Sequence, residues 1–103
     1  MPTDPSVVAP ELAISAAARR DLDAIFDYTV ERWGLEQADR YVGSFDAAYA
    51  KLLGQLLLGS APERVSGYRK LRPESHLIFY RVGRSTLHTE RILHHRMSAV
   101  RHL

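Results

Sequence analysis

The last residues of the chain, "RILHHRMSAVRHL", carry two adjacent histidines flanked by arginines. Imidazole rings bind transition metals and transfer protons near neutral pH. Guanidinium groups bind phosphates and carboxylates through a planar set of donors. This segment is therefore a candidate metal site, a candidate ribonuclease site, or the end of a strand that turns into a helix within a binding surface.

A metal site is the interpretation that the sequence supports least. Neighbouring side chains of a strand point to opposite faces, so His94 and His95 cannot both ligate one ion unless the strand ends between them. The chain has no cysteine and no HExxH spacing, whereas a zinc site needs three or four protein ligands. We expect no metal and no other cofactor, with one histidine packed at a strand end and the other solvated.

Ribonuclease chemistry has the residue types that it needs. Metal-independent cleavage of RNA requires a base, an acid and a cation on the phosphate. The set would be Arg72, Arg91, His94 and Arg96, with His95 and Glu90 nearby in sequence. Any basic sheet supplies such a set, so a solvated arginine-rich face remains the alternative.

The distribution of charge points to an acidic partner. The formal net charge is only +2, but twelve of the fourteen basic residues are arginine. From Arg64 onward there are nine basic residues against only Glu74 and Glu90. The C-terminal half is therefore a basic surface, suited to nucleic acid or to an acidic protein.

The length of 103 residues fits one small domain. Residues 1–10 contain three prolines and no periodicity, so we expect a flexible leader followed by a single domain over 11–103. The apolar run "LLGQLLLG" is far shorter than the roughly 20 residues that cross a bilayer, and the chain does not open with a secretion signal. We expect a cytoplasmic protein that binds neither a membrane nor a small-molecule substrate.

Periodicity predicts an α+β fold. "ELAIS" alternates as a short strand, and Ser15 is placed to cap a helix that ends at Gly34. A second helix is expected from Leu35 until Gly59 and Pro62 stop it, which makes an antiparallel helical hairpin. "YRKLR", "HLIFYRV" and "TLHTERILHH" then predict a three-stranded antiparallel sheet, followed by a short helix in "SAVRHL".

Four of the six aromatic residues on the predicted hairpin bear on whether it offers a binding surface. Their helical spacing indicates core positions, while the alternative is that part of the stripe stays exposed as a groove for a partner. These residues are Trp33, Tyr41, Phe45 and Tyr49.

The chain resembles the ParE branch of the RelE/ParE superfamily, the toxins of type II toxin–antitoxin modules. The matching stretches are the helical segment 15–52, "GYRKLR", "HLIFYRV" and, above all, "RILHHRMSAVRHL". They follow the family's order over nearly all of residues 11–103. Where the family often has aspartate after the methionine, this chain has Ser98, which still caps a helix.

The resemblance implies a fold, partners and a target. The fold would be a small sheet backed by a helical hairpin. The partner would be a ParD-like antitoxin whose C-terminal segment wraps the toxin, with two toxins for each antitoxin dimer. The usual target of ParE-like toxins is DNA gyrase, bound without catalysis. The alternative is a RelE-like, ribosome-dependent messenger RNA endonuclease, a branch that keeps a catalytic tyrosine or histidine near the C-terminus.

Two surfaces are expected on this basis. The basic target surface is predicted to comprise Arg69, Arg72, Arg81, Arg91, His94 and Arg96. The antitoxin groove is predicted to comprise Leu12, Trp33, Tyr41 and Phe45.

Overall fold

The computed structural model describes residues 11–56, 58–60 and 67–103, so the predicted leader over 1–10 lies outside the described residues. The predicted α+β class and element order are confirmed. The elements are β1 (Glu11–Ile14), α1 (Ala16–Trp33), α2 (Leu35–Gly54), β2 (Arg69–Leu71), β3 (His76–Val82), β4 (Thr86–His94) and α3 (Ala99–His102). No helix in this described part combines the length and apolar character needed to span a bilayer.

The four strands form one mixed sheet in the order β1-β4-β3-β2. β1 pairs in parallel with β4, and the other two pairs are antiparallel. The β3–β4 register shifts by one residue between Phe79 and Tyr80, because Tyr80 is opposite Thr89 whereas Phe79 is opposite Arg91. Glu90 is therefore the extra residue of a β-bulge, which changes the face that later residues of β4 occupy.

Ser15 connects the start of α1 to this bulge. Its hydroxyl oxygen accepts a hydrogen bond from the N–H of Ala18 at 2.9 Å, as the predicted cap requires. The same hydroxyl donates to the carbonyl of Glu90 at 2.6 Å. At the other end of α1, Gly34 has a φ of +91°, which favours glycine and allows α2 to begin at once.

The helical hairpin covers one face of the sheet. Ile25 of α1 packs with four buried residues of α2 and with buried residues of β3 and β4 in a single core. Phe45 and Tyr49 are buried as predicted, but the expectation that Trp33 is core is wrong, since 71% of its surface is exposed. Trp33 is the last residue of α1 and extends past the core.

The second helix ends five residues earlier than predicted, at Gly54 rather than Gly59. The chain then turns so that Gly59 lies against the hydroxyl of Tyr80. That hydroxyl accepts from the N–H of Gly59 and donates to the carbonyl of Leu56, each at 2.9 Å. Tyr80 is fully buried, so its hydroxyl needs hydrogen-bond partners in the core. The chain can supply these two bonds only because α2 ends before Leu56 and Gly59.

An ion pair joins α1 to β4 and to the C-terminal helix. Arg91 donates to both carboxylate oxygens of Asp21, at 2.7 and 2.9 Å. The N–H of Ile92 donates to the same carboxylate at 2.9 Å, and Arg91 also donates to the carbonyl of His102 at 3.2 Å. The Asp21 carboxylate thus binds the backbone of β4 beyond the end of β1, and Arg91 binds the carbonyl of His102 in the C-terminal helix.

Candidate functional site

Three histidine rings meet where β3 begins and β4 ends. His76 is directly opposite His94 in the antiparallel register, so both side chains leave the same face of the sheet. Their ring centroids are 5.2 Å apart and nearly perpendicular. Because β4 ends at His94, strand alternation does not set the direction of the His95 side chain. The centroid of its ring lies 4.3 Å from that of His94. We call His76, His94 and His95 the histidine cluster.

Tyr41 of α2 fixes the innermost ring of the cluster. Its hydroxyl accepts a hydrogen bond from the N–H of Ser75 at 3.1 Å and lies 2.7 Å from Nδ1 of His76. The hydroxyl of Tyr41 thus makes two hydrogen bonds at the start of β3, one to the backbone of Ser75 and one to the ring of His76. The N–H of Arg96 donates to Nδ1 of His94 at 3.2 Å.

The surroundings make two of these rings poor bases. Burial, with added repulsion from His94 and His95, lowers the pKa of His76 from 6.5 to about 4. Partial burial also lowers the pKa of His95, and the charges of Arg72, His94 and Arg96 act in the same direction. At neutral pH His76 is therefore an uncharged ring that is hydrogen-bonded to Tyr41.

The cluster forms one wall of a cleft between α1, α2 and the strand ends. This aromatic cleft has a volume of about 520 Å³. Tyr28, Trp33 and Tyr41 contribute aromatic rings to it, alongside His76 and His94. Tyr28 is 58% exposed and Trp33 is 71% exposed, so two large aromatic side chains at the cleft present most of their surface to solvent.

Two arginines, Arg72 and Arg96, lie close enough to His95 of the cluster to act on it electrostatically. Arg72 uses its Nε to donate to the carbonyl of Glu74 at 2.7 Å. Neither Arg72 nor Arg96 forms an ion pair with a carboxylate of the described residues. We call Arg72, His95 and Arg96 the cationic rim after its two arginines, whose charges both act on the ring of His95.

Residues 12–99 match the family described as the ParE toxin of type II toxin–antitoxin system, parDE. The chain belongs to the ParE toxin family. It is 39% identical over 92 residues to Toxin ParE1 of Mycobacterium tuberculosis and 37% identical over 91 residues to Toxin ParE1 of Caulobacter vibrioides. Each alignment covers 87% of this chain and 94% of the relative.

The fold agrees with this membership. A solved structure of the chromosomal ParDE TA system from P. aeruginosa superposes with a TM-score of 0.72 and 27% identity. The match covers 84% of this chain and 96% of that chain. The resemblance seen in the sequence is therefore confirmed, and the chain is a type II toxin of the ParE type.

The structure divides the six predicted target-binding residues of this ParE-family chain. Arg91 is held by Asp21, and Arg81 donates to Glu90 at 2.6 and 3.1 Å; these hydrogen bonds raise the pKa of both arginines. Arg69 donates to the carbonyl of Gly59 at 2.8 Å. The remaining three lie together at the strand ends: Arg72, His94 and Arg96.

The four predicted antitoxin-binding residues line two clefts rather than one. Trp33 and Tyr41 belong to the aromatic cleft. Leu12 and Phe45 line a second, mainly apolar cleft of about 310 Å³ beside β1, together with Val42 and other residues of the hairpin. Phe45 connects the two, since its ring meets that of Tyr41 edge-on at 5.7 Å, but it is almost completely buried.

Three important residues were not identified from the sequence. His76 was not linked to the histidine pair, Asp21 was not linked to Arg91, and Tyr28 was not assigned to the aromatic surface. Asp21 and Arg91 are 70 positions apart, and no local pattern pairs them. Within the described ranges, no three histidine, aspartate or glutamate side chains are grouped to hold a metal ion.

The depressed pKa of His76 predicts a loss of stability in weak acid. Below pH 6.5 the unfolded chain takes up a proton at this ring, whereas the folded chain does so only near pH 4. The free energy of unfolding should therefore fall as the pH drops from 7 to 5, by about 1 kcal/mol after allowance for the half-exposed position of the ring.

Urea unfolding of the wild type and of His76→Gln at both pH values tests this prediction, because glutamine keeps an acceptor for Tyr41 without titrating. The variant should lose about 1 kcal/mol less than the wild type across this pH range. His88→Gln, at an exposed position toward the other end of β4, serves as the matched control. Equal slopes for the wild type and His76→Gln would contradict the assignment.

Proposed function

We propose that this chain arrests growth by binding DNA gyrase in the cytoplasm, and that a ParD-like antitoxin neutralises it. The antitoxin partner is supported by the P. aeruginosa ParDE system, whose toxin-like chain this one resembles over 84% of its length. An antitoxin dimer would carry two copies of this chain. Gyrase is the target that the ParE resemblance implies, and the cationic rim is the surface of this chain that gyrase would contact.

The Arg91–Asp21 ion pair favours binding over RNA cleavage. In the ribonuclease interpretation, Arg91 would neutralise the scissile phosphate together with Arg72, His94 and Arg96. Instead, the guanidinium of Arg91 donates to both oxygens of Asp21 and to the carbonyl of His102. A cation that is already neutralised within the chain contributes little charge to a transition state. Two arginines of the set thus remain available for an acidic surface.

The two partners would use different physical interactions. The target would contact Arg72, His94 and Arg96, and salt would screen the charges of the two arginines. The antitoxin would bury the exposed apolar groups at both clefts, including Leu12, of which 38% is exposed, and Trp33. Burial of apolar surface is insensitive to moderate salt, so raising the salt concentration should weaken the target complex more than the antitoxin complex.

A supercoiling assay with purified gyrase tests the proposal. The wild-type chain should inhibit supercoiling or trap cleavage complexes. The double variant Arg72→Glu/Arg96→Glu should require about tenfold more protein for the same effect, since two repulsive contacts at an acidic surface cost at least about 1.4 kcal/mol together. Arg84→Glu, in the exposed turn at the other end of β3, should behave like the wild type.

A translation reaction, run beside the supercoiling assay, tests the alternative. Unimpaired gyrase together with cut transcripts in a translation reaction would assign the chain to the RelE-like, ribosome-dependent messenger RNA endonucleases. In that case His94, the histidine of the predicted nuclease set, is the residue to mutate first.

A further inference from the structure

We propose that the aromatic cleft and the cationic rim form one recognition site for a protein segment that places an aliphatic or aromatic side chain next to carboxylates. The inference rests on the proposed function and specifies the chemistry of its target: the target segment would occupy the cleft as well as the rim, and the antitoxin, by burying Trp33, would cover part of the same site. The partner's apolar side chain would enter the cleft between Tyr28, Trp33 and Tyr41. Its carboxylates would meet Arg72 and Arg96.

The interior of the cleft suits an uncharged side chain. Its volume of about 520 Å³ lies within the roughly 300–1,000 Å³ of ordinary ligand pockets. His76, on its wall, has a pKa of about 4, so no full charge faces the occupant there at neutral pH. Exposed tryptophan and tyrosine side chains are the residue types that dominate binding energy in protein interfaces.

Two of the three aromatic rings of the cleft, those of Tyr28 and Tyr41, are also held in place before any partner arrives. Arg32 donates from its Nε to the hydroxyl of Tyr28 at 3.0 Å, and its guanidinium carbon lies 5.3 Å from the centre of the tyrosine ring. Tyr41 is fixed by its bonds to Ser75 and His76. A partner would therefore lose less free energy in ordering this surface than in ordering free side chains.

The cationic rim adds a requirement for negative charge. Its two arginines have no carboxylate partner among the described residues, in contrast to Arg81 and Arg91. The rim is continuous with the cleft, since His95 of the rim packs on His94, which lines the cleft. Charge-assisted hydrogen bonds from guanidinium groups to carboxylates are among the strongest polar contacts.

A peptide fits this arrangement better than a nucleic acid. On the outer side of α1, Glu31 lies one turn from Tyr28, and Asp27 lies one turn from Glu31; both are exposed. A nucleic acid carries a charge at every nucleotide and would be repelled where it leaves the cleft past these carboxylates. A peptide can restrict its negative charges to the end near the rim.

Selection from a random dodecapeptide display library on the purified full-length chain tests the inference. We expect a consensus in which a leucine, isoleucine, phenylalanine or tryptophan stands within a few positions of aspartate or glutamate. A synthetic peptide with that consensus should shift the emission of Trp33, which is the only tryptophan of the chain and borders the cleft. Arg72→Gln/Arg96→Gln should weaken this peptide at least tenfold, whereas Arg84→Gln should not.

The inference would be overturned if the selection gave no consensus, or a consensus without acidic residues. It would also be overturned if oligothymidylate bound more tightly than any selected peptide and this binding depended on Arg72 and Arg96. The proposed function is tested independently, because the selection contains no gyrase. Inhibition of gyrase by a chain that selects no acidic peptide would contradict the inference alone. Acidic peptides bound by a chain that leaves gyrase active would support the inference and contradict the target.

Discussion

Replacing Asp21 with alanine should lower the free energy of unfolding by about 3 kcal/mol. The carboxylate accepts two hydrogen bonds from Arg91 and one from the N–H of Ile92. Only 15% of the Asp21 side chain and 24% of the Arg91 side chain are exposed. Removing the carboxylate leaves a partly buried cation and a strand N–H without their partner, which costs more than the ion pair itself contributes.

Chemical denaturation of the wild type and the variant measures this effect. The matched control is Glu36→Gln, because Glu36 pairs with Arg40 at 3.7 Å on the exposed surface of α2. Such a surface pair contributes about 0.5 kcal/mol or less, so the control should unfold almost as the wild type does. A loss below about 1 kcal/mol for Asp21→Ala would mean that the Arg91 pair is energetically equivalent to a surface pair.

The effect of Asp21→Ala should extend to the site. Arg91 also holds the carbonyl of His102, so loss of its anchor should loosen the C-terminal helix that follows the histidine cluster. Amide hydrogen exchange in residues 99–103 should therefore accelerate more than exchange in β2, which has no contact with this ion pair.

Replacing Gly59 with alanine should also cost about 3 kcal/mol, for a steric reason. A Cβ atom at this position would lie 2.6 Å from the carbonyl oxygen of Lys70 and 2.6 Å from the hydroxyl of Tyr80. The backbone of β2 or the buried tyrosine must then move. Either movement disturbs the bonds that Tyr80 makes to Gly59 and Leu56, and an unsatisfied buried hydroxyl adds about 1–3 kcal/mol.

Gly43→Ala is the control for Gly59→Ala, and its effect should have the opposite sign. Gly43 lies inside α2, and a Cβ there would meet no atom within 4 Å. Alanine is favoured over glycine in a helix interior by about 1 kcal/mol, so this variant should be more stable than the wild type. Thermal unfolding followed by circular dichroism separates the two variants. A Gly59→Ala protein as stable as Gly43→Ala would contradict the close approach.

Local signals in the sequence were sufficient for most elements. Ser15 has the short polar side chain of a helix cap, Gly34 tolerates a positive φ, and the apolar run in "HLIFYRV" predicted β3 with the bounds that the structure has. These signals work because capping, turn geometry and strand alternation depend on residues that are neighbours in the chain. The family resemblance likewise followed from the order of these stretches, and it is confirmed.

Predictions that depended on distant contacts were less complete. Trp33 has the helical spacing of a core residue, yet it is exposed because α1 extends beyond the elements that could cover its last turn. Arg81 and Arg91 have the same residue type as Arg72 and Arg96, but only the first two face carboxylates in the described fold. The spacing of residues along one helix or strand does not reveal which residues of other elements pack against it.

The histidine cluster depends on both the amino-acid sequence and the tertiary structure. The sequence by itself determined the elements, the basic character of the C-terminal half and the end of a strand at the double histidine. A regular hairpin continued from the Val82–Leu87 pair would set His76 opposite Leu93 and turn His94 to the other face. The bulge at Glu90 shifts the register by one residue, and the bond from Ser15 to the Glu90 carbonyl stabilises it across 75 positions. Only the tertiary structure brings the three rings together, because the bulge that aligns them is held by a contact that no local pattern encodes.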